Sequence, residues 1–268
     1  MKRILSIILV VLISQFQIVN AAIAGEDGEV NLSSKSKKSQ TEVKDCFEGL
    51  NRGIFTFNKG LDKIIFKPLA HGYRKLPQPL RSGTSNVLNN ISNVVTIPNN
   101  ILQGQVHDAG INSLRLVINT TLGIFGIFDV ASYYGIQKLE KEDYGQTLGT
   151  MGVNQGCYLV LPVLGPSTTR DAIGSLANFI GGDAWYNVTV VNDTRYFNEA
   201  DYYLSRVTSG VDFRAKNLEA FDSLERNSLD LYASVKSLYL QDRERKVKNL
   251  DETTETMVDD DWEEIDSQ

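Results

Sequence analysis

The sequence predicts an all-α protein, and two observations carry that prediction. Apolar residues return at three- and four-residue steps over four long stretches, 45–66, 81–102, 110–131 and 201–248. Only one short stretch, 158–166, reads as an apolar extended run. At 268 residues the chain has room for one large domain or two small ones with a sizeable core, and its 42% hydrophobic content is ordinary. A net charge of −6, with no basic patch interleaved with aromatics, argues against nucleic acid as a partner.

The first 24 residues read as a secretory signal peptide rather than as structure. Lys2 and Arg3 precede the apolar run Ile4–Ile13, and Ala22-Ile23-Ala24 supplies small residues for cleavage, with Val19-Asn20-Ala21 as a second site. Beyond it no stretch of 18 or more residues is both apolar and uncharged, so no second spanning helix is expected. Residues 25–44 are polar, rich in Ser and Lys, and read as a flexible linker.

The first helix opens at Asp45 and Glu48, acids suited to a helix N-terminus. Phe47, Leu50, Ile54, Phe57, Leu61, Ile64 and Ile65 give it one face, which Phe55 and Phe66 widen beyond the needs of a small core. Pro68 predicts its end near Lys67. Lys75–Pro79 is an extended connector, and 81–102 is an Asn/Ser-rich amphipathic helix interrupted at Pro98. Leu102–Gln105 is a turn.

The next helix, starting near Asp108 and running to Ala131, is the most informative element. At 100° per residue Asn112, Arg115, Asn119, Gly123 and Gly126 fall in one narrow stripe, and apolar residues cover most of the remaining circumference. Such a helix is either embedded in lipid with one wet edge, or the centre of a soluble bundle with Arg115 snorkelling. Downstream, Gly145, Gly149, Gly152 and Gly156 recur at helical steps, which fits either close helix packing or a loop-rich segment. Ser167, Thr168 and Thr169 are candidate caps for a helix entered through Arg170-Asp171. From Asp201 to Lys248 a long helical region carries one apolar stripe and water-facing charges, with a break at Ser209-Gly210. Residues 251–268, with nine acids and no bases, form a solvated acidic tail.

Catalytic machinery is missing. There is no Gly-x-Ser-x-Gly, no phosphate-binding glycine loop and no Gly-x-Gly-x-x-Gly. His71 and His107 read as surface loop residues, and Glu140, Glu142 and Asp143 as a solvated charged face. No metal site and no cofactor are implied, since the two histidines and two cysteines lack ligand spacing. Whether Cys46 and Cys157 pair is open from sequence alone. The expectation is a non-enzymatic exported protein whose wide-faced helices lie in a membrane interface or line an amphipathic conduit.

Several motifs resemble those of the MlaA (VacJ) family. Asp45-Cys46-Phe47-Glu48-Gly49-Leu50-Asn51-Arg52, then Phe55-Thr56-Phe57-Asn58, is similar to that family's DPxEGFNR…FxFN signature. Leu76–Arg81 resembles its connector. The run Leu116–Ala131, with Asn119, Gly123, Gly126 and Asp129, is similar to its RxxxNTxxGxxGxxDxA motif. Asp143–Gly149, including Gly145, and Leu161–Asp171, including Pro162, Gly165, Arg170 and Asp171, complete the set. The resemblance covers about residues 45–235, within a helical domain taken as 45–250.

The resemblance implies a ring-shaped bundle of amphipathic and interfacial helices around a central amphipathic channel, in the periplasmic leaflet of an outer membrane. It implies removal of mislocalised phospholipid from the outer leaflet and handover to a periplasmic, MlaC-like lipid carrier. Trimeric outer-membrane porins are the implied scaffolds. On this basis the stripe Asn112, Arg115, Asn119, Gly123 and Gly126 is expected to face the channel. The alternative is an outer-membrane scaffold or lipid-binding module that conducts no lipid. Two departures stand out: Cys46 replaces the motif's proline, and no cysteine in the leader sits in a lipobox, so lipid anchoring is not expected.

Overall fold

In the computed structural model, which describes residues 43–192 and 197–250, these residues are mostly helical, with one short hairpin and the segments that connect the elements. The expected leader, nearly all of the linker and the acidic tail lie outside the described residues.

Helix α1, Glu48–Leu61, does not lead to a stop before Pro68. A single π turn, Asp62–Phe66, passes the chain directly into α2, Lys67–Arg74. The Lys67 N–H bonds back five residues to the Asp62 carbonyl, and Pro68 then falls in a new first turn, where its missing donor costs little. Helix α3, Gln78–Leu102, likewise runs through Pro98 without interruption. Gly104, at φ +79°, makes the expected turn, and α4, Val106–Thr121, returns along α3. His71 and His107 are exposed, as expected, but on α2 and α4 rather than on loops.

These two long helices are turned inside out. The buried residues of α3 are Gly83, Ser85, Asn90, Asn93, Thr96, Asn99 and Asn100; those of α4 are Ala109, Asn112, Arg115 and Asn119. Buried amides are tolerable only when bonded. Here Asn112 Nδ2 donates to Asn100 Oδ1 at 2.9 Å and Asn90 Nδ2 to Thr120 Oγ1 at 2.8 Å. The outer surface meanwhile carries Leu114, Val117, Phe125, Ile173 and Ile180. Among the described residues, buried polar and charged side chains outnumber buried apolar ones. That arrangement suits a molecule whose outside is not water. No described helix is long and apolar enough to cross a membrane.

The helix expected through Ala131 stops at Thr121. The chain doubles back over 122–129, with Ile124, Phe125 and Gly126 at φ 51°, 55° and 91°. A side chain at Gly123 would lie 2.2 Å from the Phe128 carbonyl, which is why glycine stands there. Both arms of this turn face outward and are apolar, so the periodicity read through the break. Asp129 caps the short α5, Val130–Tyr133.

An extended segment leads to α6, Tyr144–Thr150, closed by a capping box between Asp143 and Gln146. The glycine run divides between its two readings. Gly145 and Gly149 lie on the helix at close approaches, whereas Gly152 and Gly156, at φ +89° and +71°, lie in the following loop. The extended run beyond it is a hairpin: β1, Tyr158–Leu161, pairs antiparallel with β2, Gly165–Thr168, in the register Tyr158↔Thr168. Thr168 then caps α7, Thr169–Ala177, through the Asp171 N–H. Cys46 and Cys157 do pair, which staples the start of α1 to the start of the hairpin.

After α8, Ala184–Tyr186, the C-terminal region is three helices: α9 Glu199–Lys216, α10 Leu218–Asn227 and α11 Leu231–Val247. The breaks fall at Asn217 and 228–230, not at Ser209-Gly210, which lies inside α9. Its charges are not simply water-facing either, since Asp212, Arg214, Asp242, Arg243 and Arg245 are buried. A central cavity lies between α3, the segment that precedes α6, α9 and the end of α11.

Candidate functional site

The central cavity holds about 430 Å³. Its α3 wall is mixed, with Leu88, Ile91 and Val95 beside Asn89, Ser92 and Thr96. Facing it are the extended segment Lys138–Asp143, the α9 residues Ser205, Arg206 and Lys216, and the end of α11, Arg245 and Lys246. Most of these charges are already paired. Arg245 holds Glu140 at 2.9 Å and Asp242 at 3.1 Å, Lys216 holds Asp212 at 2.7 Å, Lys246 holds Asp242 at 2.9 Å, and Arg206 is paired with Asp183. Lys141 donates to the Asn89 carbonyl at 3.1 Å and to Asn93. Lys138 alone among the cavity's bases has neither an ion pair nor a hydrogen bond among the described residues, so its ammonium is available to an anion.

Two neighbours in this wall are shifted toward neutrality. Burial, then the charges of Lys138 and Arg115, push the Lys141 ammonium down to about 7. Burial, then Asp143 and Glu140, push the Glu142 carboxyl up to about 7, against a hydrogen bond from Gln103. The consequences for stability have opposite signs. Between pH 4.5 and 7 the folded state binds the Glu142 proton more tightly than the unfolded chain, so this group's contribution falls as pH rises. Between pH 7 and 10.5 the unfolded chain holds the Lys141 proton more tightly, so stability climbs again. The expected result is that Glu142→Gln raises the Tm at pH 8 but not at pH 4, and Lys141→Met raises it at pH 6 but not at pH 10. Thermal melts across that range check it; equal shifts at every pH would count against it.

The stripe expected to face a channel is only partly brought together. Asn112, Arg115 and Asn119 share the buried face of α4, but Gly123 and Gly126 lie in the turn beyond it and belong to no helical stripe. Gly126 is packed on Asn90, where a side chain would meet Cβ at 2.8 Å. Arg115 grips Asp129 through two bonds of 2.8 and 2.9 Å and donates to Ser132 at 3.2 Å. Asn119 donates to Asp129 at 3.0 Å and accepts from the Ala131 N–H at 2.9 Å. A small polar gap beside this cluster shares the wall of Asn89, Lys138 and Lys141 with the central cavity. Arg115 also donates to the Ile136 carbonyl, two residues before Lys138, and so braces the segment that carries the cavity lysines.

The signature residues are builders of the scaffold. Asn51 and Asn58 are seven apart, two turns, and so share a face of α1. They complete the outer edge of β1 as a neighbouring strand would. Asn51 accepts from the Val160 N–H at 2.9 Å and donates to the Tyr158 carbonyl at 3.0 Å; Asn58 accepts from Val163 at 2.6 Å and donates to Leu161 at 2.8 Å. Burial alone would raise Asp45, but bonds from Tyr232, Asn51 and Lys236 outweigh it and hold the carboxyl below its usual range. Arg52 links Glu48 to Asp230, while Gly49 faces open space. Gly145 meets α7 so closely that a side chain at Gly174 would lie 2.4 Å from its nitrogen. Gly149 fits beneath Arg170 and Val247. Pro162 and Gly165, the latter at φ +84°, shape the hairpin turn. Asp129, Arg170 and Asp171 are members of ion pairs.

The residues missed from sequence are Lys138, Lys141 and Glu142. Glu140, Glu142 and Asp143 read as a solvated charged face because a charge run in water is the usual case; Glu140 is exposed as that reading has it, whereas Lys141 and Glu142 are half-buried.

A family profile described as MlaA lipoprotein matches residues 43–246. The chain is 31% identical to the intermembrane phospholipid transport system lipoprotein MlaA of Escherichia coli strain K12, over 88% of this chain and 93% of that protein. It is 30% identical to the protein of the same name in Haemophilus influenzae, over 87% and 92%. An uncharacterised Rickettsia bellii protein is 34% identical over 92% and 93%. A solved structure, described as giving a structural basis for maintenance of bacterial outer membrane lipid asymmetry, superposes with a TM-score of 0.65 at 31% identity, covering 76% of this chain and 99% of that one.

Proposed function

Since the chain belongs to the MlaA family, we propose that it works in intermembrane phospholipid transport and so maintains outer-membrane lipid asymmetry. In this reading it takes mislocalised phospholipid from the outer leaflet through the central cavity and passes it to a soluble periplasmic carrier. The observation that carries the proposal is the inverted polarity: apolar side chains on the outer surface and a cavity lined by charged side chains inside.

A headgroup and its tails need opposite surroundings. The phosphate finds Lys138, and its charge would favour the protonated form of Lys141 beside it. The tails gain less there, since burying apolar chain is worth about 0.8 kcal/mol per CH₂ and only the patch of Leu88, Ile91 and Val95 offers them an apolar surface. Arg115 holds Asp129, and with it the geometry of the lysine segment, rather than meeting the headgroup itself. The exposed apolar belt keeps the ring in the periplasmic leaflet, and a trimeric porin would seat it there. The sequence has no nucleotide-binding loop, so the energy for net flow comes from another component.

Surface-exposed phospholipid, measured by an outer-leaflet-selective label in cells lacking the protein, tests this. It should rise several-fold, return to normal with the wild-type gene, and stay high with Lys138→Glu at equal outer-membrane abundance. No rise in the deletion strain would leave a scaffold or non-conducting lipid-binding module as the better reading. Full complementation by Lys138→Glu would remove the headgroup assignment.

A further inference from the structure

Resting on the transport reading, one question is where the acyl chains lie while the headgroup occupies a charged cavity. A second hollow of about 470 Å³ opens on the outer side of α3 and α9. Val87, Leu88 and Ile91 of α3, Leu204 and Thr208 of α9, and Trp185 line it. Leu88, Ile91 and Ser205 border this groove and the central cavity alike, so the two hollows meet at that layer of side chains. The seam has a definite polarity. Ser205, bonded by Trp185 Nε1 at 3.1 Å, stands at its throat, Arg206 one residue on is paired inside with Asp183, and Leu204 one residue back is exposed. At Leu88 and Ile91 no directional bond has to break for the seam to part. Lys216, bonded to Ser85 and Asp212, ties α3 to α9 elsewhere along the same pair of helices.

We propose that the α3–α9 seam is a lateral slot for the transported phospholipid, with acyl chains held in the outer groove while the headgroup lies in the central cavity. The wall that the two hollows share selects this occupant over any other apolar molecule. An amphiphile with a charged head and apolar tails is the ligand that uses a charged chamber and an apolar groove together. Lipid would then enter and leave sideways instead of being threaded whole through the ring.

The test uses the full chain in nanodiscs containing phosphatidylethanolamine with a mid-chain diazirine, and the same variants in cells. On photolysis, adducts at Leu88 and Ile91 should fall at least fivefold in Lys138→Glu, because expelling the headgroup removes its tails, while adducts at the belt residue Leu114 stay constant. An unchanged Leu88-to-Leu114 ratio overturns the proposal, since the groove would then be touched only as bilayer contact. In cells, Val87→Trp with Thr208→Trp should raise surface phospholipid to the deletion level at normal abundance, and Leu114→Trp should not. Wild-type behaviour of the groove variant, in a background where deletion does raise surface phospholipid, overturns the slot and leaves the transport reading standing. No rise on deletion overturns the transport reading and the slot with it. Loss of porin co-purification in the groove variant would assign the groove to a protein partner and overturn the slot alone.

Discussion

Arg243→Met is expected to cost 3 to 5 kcal/mol, roughly the penalty for leaving buried charges without their partner. Arg243 is 1% exposed and serves two carboxylates. It reaches Asp143 at 2.7 and 3.0 Å and Asp171 at 2.8 and 3.1 Å, while the Tyr239 hydroxyl donates to Asp171 at 2.6 Å. Burial alone would raise both carboxyls; the Arg243 charge outweighs it and holds both below their usual range. The cluster also joins three elements at once, because Asp143 caps α6, Asp171 lies in the first turn of α7 and Arg243 comes from α11. Methionine fills the space and supplies no charge. Lysine should recover only part of the loss, because a point charge cannot fork to two carboxylates. With typical domain stabilities of about 5–15 kcal/mol, the methionine variant should melt far below the wild type or fail to accumulate. Denaturant titration in mild detergent measures it, and a loss under 1 kcal/mol in both variants would show that the cluster is dispensable.

The same residues explain what could be read in the chain and what could not. Periodicity gave α1, α3, α4 and the C-terminal helices, because apolar residues at three- and four-residue steps mark a covered face whatever covers it. It could not say that the cover is outside the molecule. Leu204 and Val207 of α9 look like core positions and are exposed, whereas Asp212 and Arg214 look like surface positions and are buried. Asn90, Asn93, Asn99 and Asn100 are buried for the same reason, and a polar helix face ordinarily means solvent. Local signals also lost to register. Pro68 and Pro98 predicted stops, but a π turn absorbed the first and α3 continued past the second. Gly123 and Gly126 were counted into a helix because their apolar neighbours keep the helical period across a turn. Arg115 and Asn119 were legible as one polar cluster; their partner Asp129 was not, since it reaches them only after the chain doubles back.

Replacing both Cys46 and Cys157 by serine should lower stability by roughly 4 to 5 kcal/mol in the chain-entropy account, since the bridge closes a loop spanning 111 residues. The loss should come from the unfolded chain, because the native contacts around the bridge do not depend on it. The Tyr158 N–H still bonds to the Lys44 carbonyl at 2.9 Å, and Asp45 still accepts from Tyr232 and Asn51. The folded spectrum of the double variant should therefore match the wild type while its denaturation midpoint falls, and reductant should reproduce the shift in the wild type alone. Transport at growth temperature should survive wherever the remaining stability suffices, because the bridge joins α1 to the hairpin and neither cysteine lines the central cavity. A stability within about 1 kcal/mol of wild type would mean that the Asn51, Asn58 and Asp45 bonds already hold this edge in the unfolded ensemble. A changed folded spectrum would mean that the bridge shapes the native state itself, which the intact hydrogen bonds around it argue against.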